Sequence, residues 1–132
     1  LAWAKEVIAC DIDPMAIQAT KENAQLNNVE LTYSDDFLTL VEPFSSHLEG
    51  AGTGKSNKHI DLIVAADVLY DKENMKWLNI FVESATVVLL ADSRVKGFKH
   101  DNFFKLFEVN DCTFPDLDES KEFRTVNIYR TK

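Results

Sequence analysis

Acidic side chains flank an isoleucine where an early apolar run ends. Asp11 and Asp13 follow the run 7–10, and Pro14 comes next. A carboxylate at the end of a strand in a nucleotide-binding fold can accept hydrogen bonds from both hydroxyls of a ribose. A carboxylate directly before a proline is instead typical of a helix N-cap. We therefore predict ribose binding by Asp11 and a capping role for Asp13.

A second acidic pair, Asp35 and Asp36, stands before Phe37 at the end of the next predicted strand. A carboxylate there can accept a hydrogen bond from an adenine amino group, while the backbone N–H that follows meets a ring nitrogen. Two aspartates at a turn are also common as turn formers. Taken alone, the pair leaves adenine recognition and turn formation both open.

The most specific segment is 61–71, in which an apolar strand ends at Asp67 and Tyr70 follows. Methylation of an amine requires a neutral lone pair aimed at a sulfonium methyl group in a site that excludes water. Asp67 can orient such an amine, and Tyr70 can wall the site. The simpler alternative is a strand that ends in a helix cap, which explains Asp71 but gives Asp67 no role.

The order of apolar runs and amphipathic stretches indicates an α/β fold with crossover connections and a mostly parallel sheet. The predicted strands cover 7–10, 29–33, 60–66, 86–91 and 123–129, and helices are predicted from Pro14 to about Asn27, from Asp71 to Ala85 and over 98–109 with Phe103, Phe104 and Phe107 inward. The continuous apolar runs predict strands that are buried on both faces.

Four of the apolar runs end in an acidic residue, namely Asp11, Asp35 or Asp36, Asp67 and Asp92. Parallel strands share one carboxyl edge, and ligands of open α/β sheets bind outside that edge. We therefore expect acidic side chains along one rim of the sheet, with Asp11, Asp36 and Asp67 around one shared crevice.

Composition excludes several classes of protein. The chain has 132 residues, with 14 Lys and Arg against 22 Asp and Glu, for a formal net charge of −8. Such an acidic chain lacks the electrostatic footprint of a general nucleic-acid binder or of a protein docked on an anionic membrane. No run approaches the ~18 apolar residues of a membrane span. Two cysteines, Cys10 and Cys112, predict reduced thiols in a cytoplasmic protein.

The length predicts a single domain over residues 1–132 with a flexible surface loop over about 43–59. The opening residues 1–4 are typical of a helix entered partway, so we expect the chain to begin inside a larger domain. The glycines at 50–54 do not form a phosphate loop, because Glu49 occupies the position that requires glycine. The three histidines, His47, His59 and His100, lack metal-ligand spacing, so they are expected to be solvated and no metal site is predicted.

The motifs together resemble class I S-adenosylmethionine-dependent methyltransferases. The resemblance rests on Asp-Ile-Asp-Pro at 11–14, Glu-Asn-Ala at 22–24, Asp-Phe at 36–37 and Ala-Asp-Val-Leu-Tyr-Asp at 66–71. Residues 11–28 are similar to ribosomal-protein methyltransferases. The 66–71 segment is similar to enzymes that modify protein lysines and, in some members, nicotinamide-like amines.

The resemblance implies a Rossmann-like, doubly wound sheet with an antiparallel last strand and S-adenosylmethionine as the cofactor. It implies that Asp11 holds the cofactor ribose, that Ile12 packs on adenine, and that Asp36 and Phe37 meet the adenine edge. Ala66 would offer backbone near the methionine part, and Asp67 and Tyr70 would face the point of methyl transfer. The family's first strand and glycine-rich turn have no counterpart here, so an N-terminally truncated fold is expected.

The favoured function is N-methylation of a protein side chain, of the lysine type, on a protein that could be ribosomal or related to translation. A small nicotinamide-like amine is the alternative acceptor. Two further hypotheses stay open: a metal-dependent glycosyltransferase that uses Asp11 and Asp13, and a non-catalytic module that keeps the methyltransferase fold.

Overall fold

The computed structural model describes residues 4–41, 60–70, 72–95, 97–110, 120 and 124–132. The chain divides into two compact units, Leu1–Lys58 and His59–Lys132. The first unit contains β1 (Ile8–Cys10), α1 (Pro14–Leu26), β2 (Thr32–Ser34) and α2 (Phe37–Val41). The second unit contains β3 (Ile60–Ala66), 3₁₀ turns at Val68–Tyr70 and Lys72–Asn74, α3 (Met75–Ser84), β4 (Ala85–Asp92), β5 (Phe103–Asn110) and β6 (Thr125–Thr131). A single domain over 1–132 stays a prediction.

Helix α1 begins and ends where the sequence predicts. Asp13 is its N-cap, with an extended backbone and a side-chain oxygen that accepts a hydrogen bond from the Met15 N–H at 2.8 Å. Pro14 occupies the first helical position, where a missing N–H costs nothing. At the other end Asn28 has φ +52°, a left-handed conformation that asparagine tolerates after a helix. The prediction that Asp13 is a cap is therefore confirmed.

Replacing Asp13 by alanine is expected to lower the free energy of unfolding by about 1 kcal/mol, because the cap satisfies one of the unpaired N–H groups of the first turn. Urea unfolding followed by circular dichroism measures the loss. Asp13→Asn should retain most of the stability, because the amide oxygen is also an acceptor. Glu30→Ala changes an exposed acid outside the helix and should have no effect; equal losses in the Asp13→Ala and Glu30→Ala variants would contradict the capping role.

Strands β1 and β2 pair in parallel, with Ile8 opposite Thr32 and Cys10 opposite Ser34. The predicted first strand is confirmed, but it is not buried on both faces, since Ile8 is half-buried and Cys10 is exposed. The predicted second strand begins three residues later than expected, at Thr32. Parallel pairing brings the carboxyl ends of both strands to the same edge of this small sheet.

The second unit holds a four-stranded sheet in the order β3-β4-β6-β5. Strands β3 and β4 pair in parallel, while β6 is antiparallel to both β4 and β5. Three strands thus run one way and the last strand runs the other way. This arrangement confirms the predicted α/β class with an antiparallel last strand.

One face of this sheet carries the core. Ile63 pairs with Val88, and Leu90 pairs with both Ala65 and Tyr129, so these five buried side chains share one face. On the other face of β3, Leu62 is 48% exposed and Val64 is 69% exposed. The prediction that β3 is buried on both faces is therefore wrong for this face.

Among the described helices, none is long and apolar enough to cross a membrane.

The predicted helix over 98–109 is wrong, because residues Phe103–Asn110 form edge strand β5, paired with β6. Phe103 is buried as expected, but Phe104 and Phe107 are 42% and 55% exposed. The three phenylalanines fall at helical spacing, yet aromatic residues also favour strands that pack against a neighbour. Pairing with a partner some twenty residues away decides the outcome here, and local spacing does not encode it.

Candidate functional site

The carboxyl ends of β1 and β2 bring four of the predicted cofactor residues together. The Asp11 N–H donates to the Ser34 carbonyl at 3.2 Å, which places the residue after β1 beside the end of β2. Asp36 and Phe37 follow Ser34 within three residues, where β2 passes into α2. We call this group, Asp11, Ile12, Asp36 and Phe37, the β1–β2 edge.

Asp11 is exposed at this edge and is held by a tight turn. Its Oδ1 accepts the Asp13 N–H at 2.9 Å, and among the described residues no group donates to its Oδ2. Ile12, between the two aspartates, is 87% exposed. The turn therefore presents a carboxylate oxygen and an apolar side chain to solvent side by side.

Asp36 is tied into the start of α2. Its Oδ1 accepts the Leu38 N–H at 2.8 Å, and its carbonyl accepts the Ser34 and Thr39 hydroxyls at 2.9 Å each. Turn formation is thus part of its role, as the sequence left open. The carboxylate is nevertheless exposed beside Phe37.

The carboxylates at the β1–β2 edge lie close enough to Cys10 to change the pKa of its thiol. Partial burial raises the pKa of the Cys10 thiol above its ordinary value, and the negative charges of Asp11 and Asp36 raise it further, with a smaller contribution from Asp35. A hydrogen bond with Ser34 acts in the opposite direction. Cys10 is a free cysteine and is exposed, so its reactivity can report the charge at the β1–β2 edge.

Alkylation of Cys10 by iodoacetamide is expected to reach half its maximal rate at a higher pH in the folded protein than in urea. The thiolate is the reactive form, and a raised pKa leaves less of it at a given pH. Asp36→Asn should lower the midpoint of the pH profile by removing a nearby negative charge. Mass spectrometry of the Cys10 peptide follows the reaction.

Glu30→Gln, which removes a charge before the opposite end of β2, is the matched control and should leave the profile in place. If Asp36→Asn moves the midpoint no further than Glu30→Gln does, the acidic environment of Cys10 is contradicted.

The end of β3 carries the second predicted group, Ala66, Asp67 and Tyr70, which we call the β3 end. Ala66 pairs with Ala91 at the last rung of the β3–β4 ladder, and the Asp67 N–H donates to the Ala91 carbonyl at 2.9 Å. Asp67 has φ +48°, in the left-handed region. This conformation costs a non-glycine residue about 1–2 kcal/mol, although aspartate tolerates it better than most.

The Asp67 carboxylate joins the ends of two neighbouring strands. Its Oδ1 accepts both the Ser93 N–H at 3.2 Å and the Ser93 hydroxyl at 3.0 Å. Among the described residues nothing donates to its Oδ2, and the residue is exposed. Asp67 is therefore held in one orientation by Oδ1, and its Oδ2 has no partner in the described part of the chain.

Tyr70 ends the 3₁₀ turn that follows Asp67. Leu69 within that turn is only 3% exposed, and the Asn74 side-chain amide donates to the Val68 carbonyl at 2.8 Å. The Asn74–Val68 hydrogen bond ties this turn to the residue that precedes α3. The predicted cap Asp71 lies outside the described residues, and α3 itself begins four residues later, at Met75.

The prediction that Asp92 belongs to an exposed acidic rim is wrong. It is 1% exposed, and its Oδ1 accepts the Arg94 and Val95 N–H groups at 2.9 and 2.7 Å. Its Oδ1 builds the turn after β4, and the buried carboxylate does not belong to the exposed rim. Ser93, within that turn, binds Asp67 and was not predicted from the sequence. The only sequence signal for it is a polar residue that directly follows an aspartate at a strand end.

His100 is half-buried, so the expectation of a solvated histidine holds only in part. Its ring stacks on Phe98 with centroids 6.2 Å apart and meets Phe103 edge-on at 5.3 Å, while its Nδ1 accepts the Asn102 N–H at 3.3 Å. It belongs to an aromatic cluster that also includes Tyr129. The other predictions of this kind, on His47, His59, Cys112 and the loop 43–59, fall outside the described residues.

In the part of the chain that the structure describes, no group of three or more His, Cys, Asp or Glu side chains is arranged to hold a metal ion.

The β1–β2 edge belongs to the first unit and the β3 end to the second. That Asp11, Asp36 and Asp67 surround one crevice stays a prediction.

Comparisons with known proteins place these residues in context. A family model described as ribosomal protein L11 methyltransferase (PrmA) matches residues 1–74, a region that includes both predicted groups. A curated ribosomal protein L11 methyltransferase from Caldicellulosiruptor saccharolyticus is 31% identical over 110 residues, or 80% of this chain. The match covers 33% of that relative, so the chain spans about one third of its length. No solved structure matches the chain significantly.

Proposed function

The chain belongs to the ribosomal protein L11 methyltransferase (PrmA) family, and from this premise we propose that it serves in methyl transfer from S-adenosylmethionine to a nitrogen of a protein side chain. The observation that carries the proposal is the location of the candidate residues. Both the β1–β2 edge and the β3 end stand where strands leave a sheet, which is where α/β folds bind ligands. Both lie inside the matched region.

The β1–β2 edge suits the adenosine part of the cofactor. Asp11 presents an exposed carboxylate oxygen that can accept hydrogen bonds from ribose hydroxyls. Ile12, 87% exposed, offers an apolar surface to the adenine ring. Asp36 and Phe37 would meet the edge of the base, with the backbone at 37 as the donor. Bound there, S-adenosylmethionine supplies an electrophilic methyl group.

The β3 end suits the methyl acceptor. Asp67 Oδ2 can accept an N–H of the incoming amine and so aim the nitrogen lone pair. A lysine amine is protonated in water, so one proton of the ammonium would leave for solvent to free the lone pair. The N–CH₃ bond would form as the S–CH₃ bond breaks, and S-adenosylhomocysteine would be the leaving group. We assign Tyr70 to the wall of this site and the backbone of Ala66 to the methionine part of the cofactor.

The proposed acceptor is a protein, with lysine as the modified residue. The relative's name specifies ribosomal protein L11, and a ribosomal or translation-related acceptor would place the reaction in the cytoplasm. The net charge of −8 favours a basic protein surface as partner over a nucleic-acid backbone.

Tritium-labelled S-adenosylmethionine tests the proposal directly. The protein containing residues 1–132 is incubated with purified ribosomal protein L11, and the label is then located by acid hydrolysis and amino-acid chromatography. Label in methylated lysine supports the proposal. Label only in added nicotinamide would establish the small-amine alternative.

Binding separates the remaining alternatives. S-Adenosylhomocysteine should raise the melting temperature without added metal. Stabilisation by Mn²⁺ with a nucleotide sugar, and not by S-adenosylhomocysteine, would favour the glycosyltransferase. No binding and no transfer would identify a non-catalytic module and overturn the proposal.

A further inference from the structure

The turn after β4 returns to the end of β3. Ser93 places its N–H and its hydroxyl 3.2 and 3.0 Å from the same oxygen, Oδ1 of Asp67. The Asp67 N–H in turn donates to the Ala91 carbonyl at 2.9 Å. Asp67 is thus joined to β4 through its backbone and to the next turn through its side chain.

Asp92 gives this turn its shape. Its buried Oδ1 accepts the N–H groups of Arg94 and Val95, the two residues that follow Ser93. A carboxylate that bonds backbone groups two and three residues ahead closes a compact turn. These hydrogen bonds fix the backbone on both sides of Ser93. Both Ser93 donors are therefore held in place relative to Asp67.

Both Ser93 donors bind the same oxygen of Asp67, so the two oxygens of this carboxylate have different surroundings. An exposed carboxylate can rotate among several rotamers, whereas two hydrogen bonds to Oδ1 favour one of them. The oxygen left over, Oδ2, receives no hydrogen bond within the described residues. A carboxylate held in this way can accept a single N–H along a fixed direction, as the alignment of an amine requires.

We propose that Ser93 is a positioning residue for Asp67, which fixes the carboxylate by Oδ1 so that Oδ2 accepts the N–H of the methyl acceptor. The inference rests on the proposed function and adds to it a residue outside the region that the family model matches. Ser93 itself touches neither cofactor nor acceptor in this account.

Ser93→Ala tests the proposal, because it removes the hydroxyl and leaves the N–H. We expect kcat for methylation of ribosomal protein L11 to fall about tenfold, in line with loss of one hydrogen bond to a charged group. The affinity for S-adenosylhomocysteine should not change. Ser93→Thr keeps a hydroxyl and should restore most of the rate.

Ser84→Ala is the matched control. It removes a hydroxyl from the same unit, one that donates to the Ile80 carbonyl at 2.6 Å at the end of α3. Its kcat should match that of the unmodified protein. Melting temperatures of all variants establish that each is folded.

A double-mutant cycle separates positioning from general stability. If Ser93 acts through Asp67, adding Ser93→Ala to Asp67→Ala should change kcat no further. An equal fall in both backgrounds, or an unchanged kcat in Ser93→Ala alone, would overturn the inference while the proposed function stands. No transfer by the unmodified protein would overturn both.

Discussion

Asp67→Ala is expected to lower kcat for methyl transfer about 100-fold, since misplacement of a reacting group by about 1 Å already costs that much. The carboxylate is the group at the β3 end that the structure holds in a single orientation, through Ser93. Its loss leaves the amine without a fixed acceptor. Affinity for S-adenosylhomocysteine should change little, because the ribose and adenine contacts are assigned elsewhere. Initial rates with tritium-labelled S-adenosylmethionine measure the effect.

Two further substitutions at this position separate charge, strain and folding. Asp67 has φ +48°, which alanine adopts at a cost, so Asp67→Gly relieves the strain and should be as inactive as Asp67→Ala. Asp67→Asn tolerates the same backbone, but its single oxygen accepts from Ser93 and an NH₂ donor replaces Oδ2, so it should be nearly as inactive as Asp67→Gly. Asp61→Ala, an exposed acid near the opposite end of β3, should be fully active. A fully active, folded Asp67→Gly variant would remove Asp67 from the site.

The parts of the fold that could be predicted from sequence depend on neighbouring residues. Helix α1 carries its own start in Asp13-Pro14 and its end in Asn27-Asn28, and the structure uses both. Strand β3 covers the predicted range 60–66 because an apolar run, interrupted only by Asp61, is followed directly by the polar residue Asp67. The polar residues after β1, β2 and β3 follow from the same local signals, so the β1–β2 edge and the β3 end could be identified before any coordinates.

The errors concern residues whose environment is set by distant partners. Phe104 and Phe107 have the spacing of a helix, but pairing with β6 turns the segment into a strand and exposes both. Asp92 ends an apolar run just as Asp67 does, yet it is buried by the turn that it forms. Which of two equivalent aspartates faces solvent depends on how each following turn folds back, and periodicity does not contain that information.

Asp11→Ala is expected to weaken S-adenosylhomocysteine binding about 100-fold, because a ribose would lose two hydrogen bonds to an ionised carboxylate, at about 1.5 kcal/mol or more each. At saturating cofactor, kcat should remain near that of the unmodified protein, since Asp11 is assigned to binding and not to the transfer step. Calorimetry measures the dissociation constant, and rates at saturating cofactor measure kcat.

The local role of Asp11 requires a control, because its Oδ1 also accepts the Asp13 N–H at 2.9 Å and so helps to hold the turn. Asp11→Asn can keep that bond while removing the charge, so it isolates the contribution of the ionised carboxylate to ribose binding. Asp35→Ala removes a neighbouring exposed acid from the end of β2 and should bind the cofactor product normally. Equal affinities for Asp11→Ala and Asp35→Ala would mean that the carboxylate at the end of β1 contributes no ribose contact. The β1–β2 edge would then be an acidic turn and not a cofactor site.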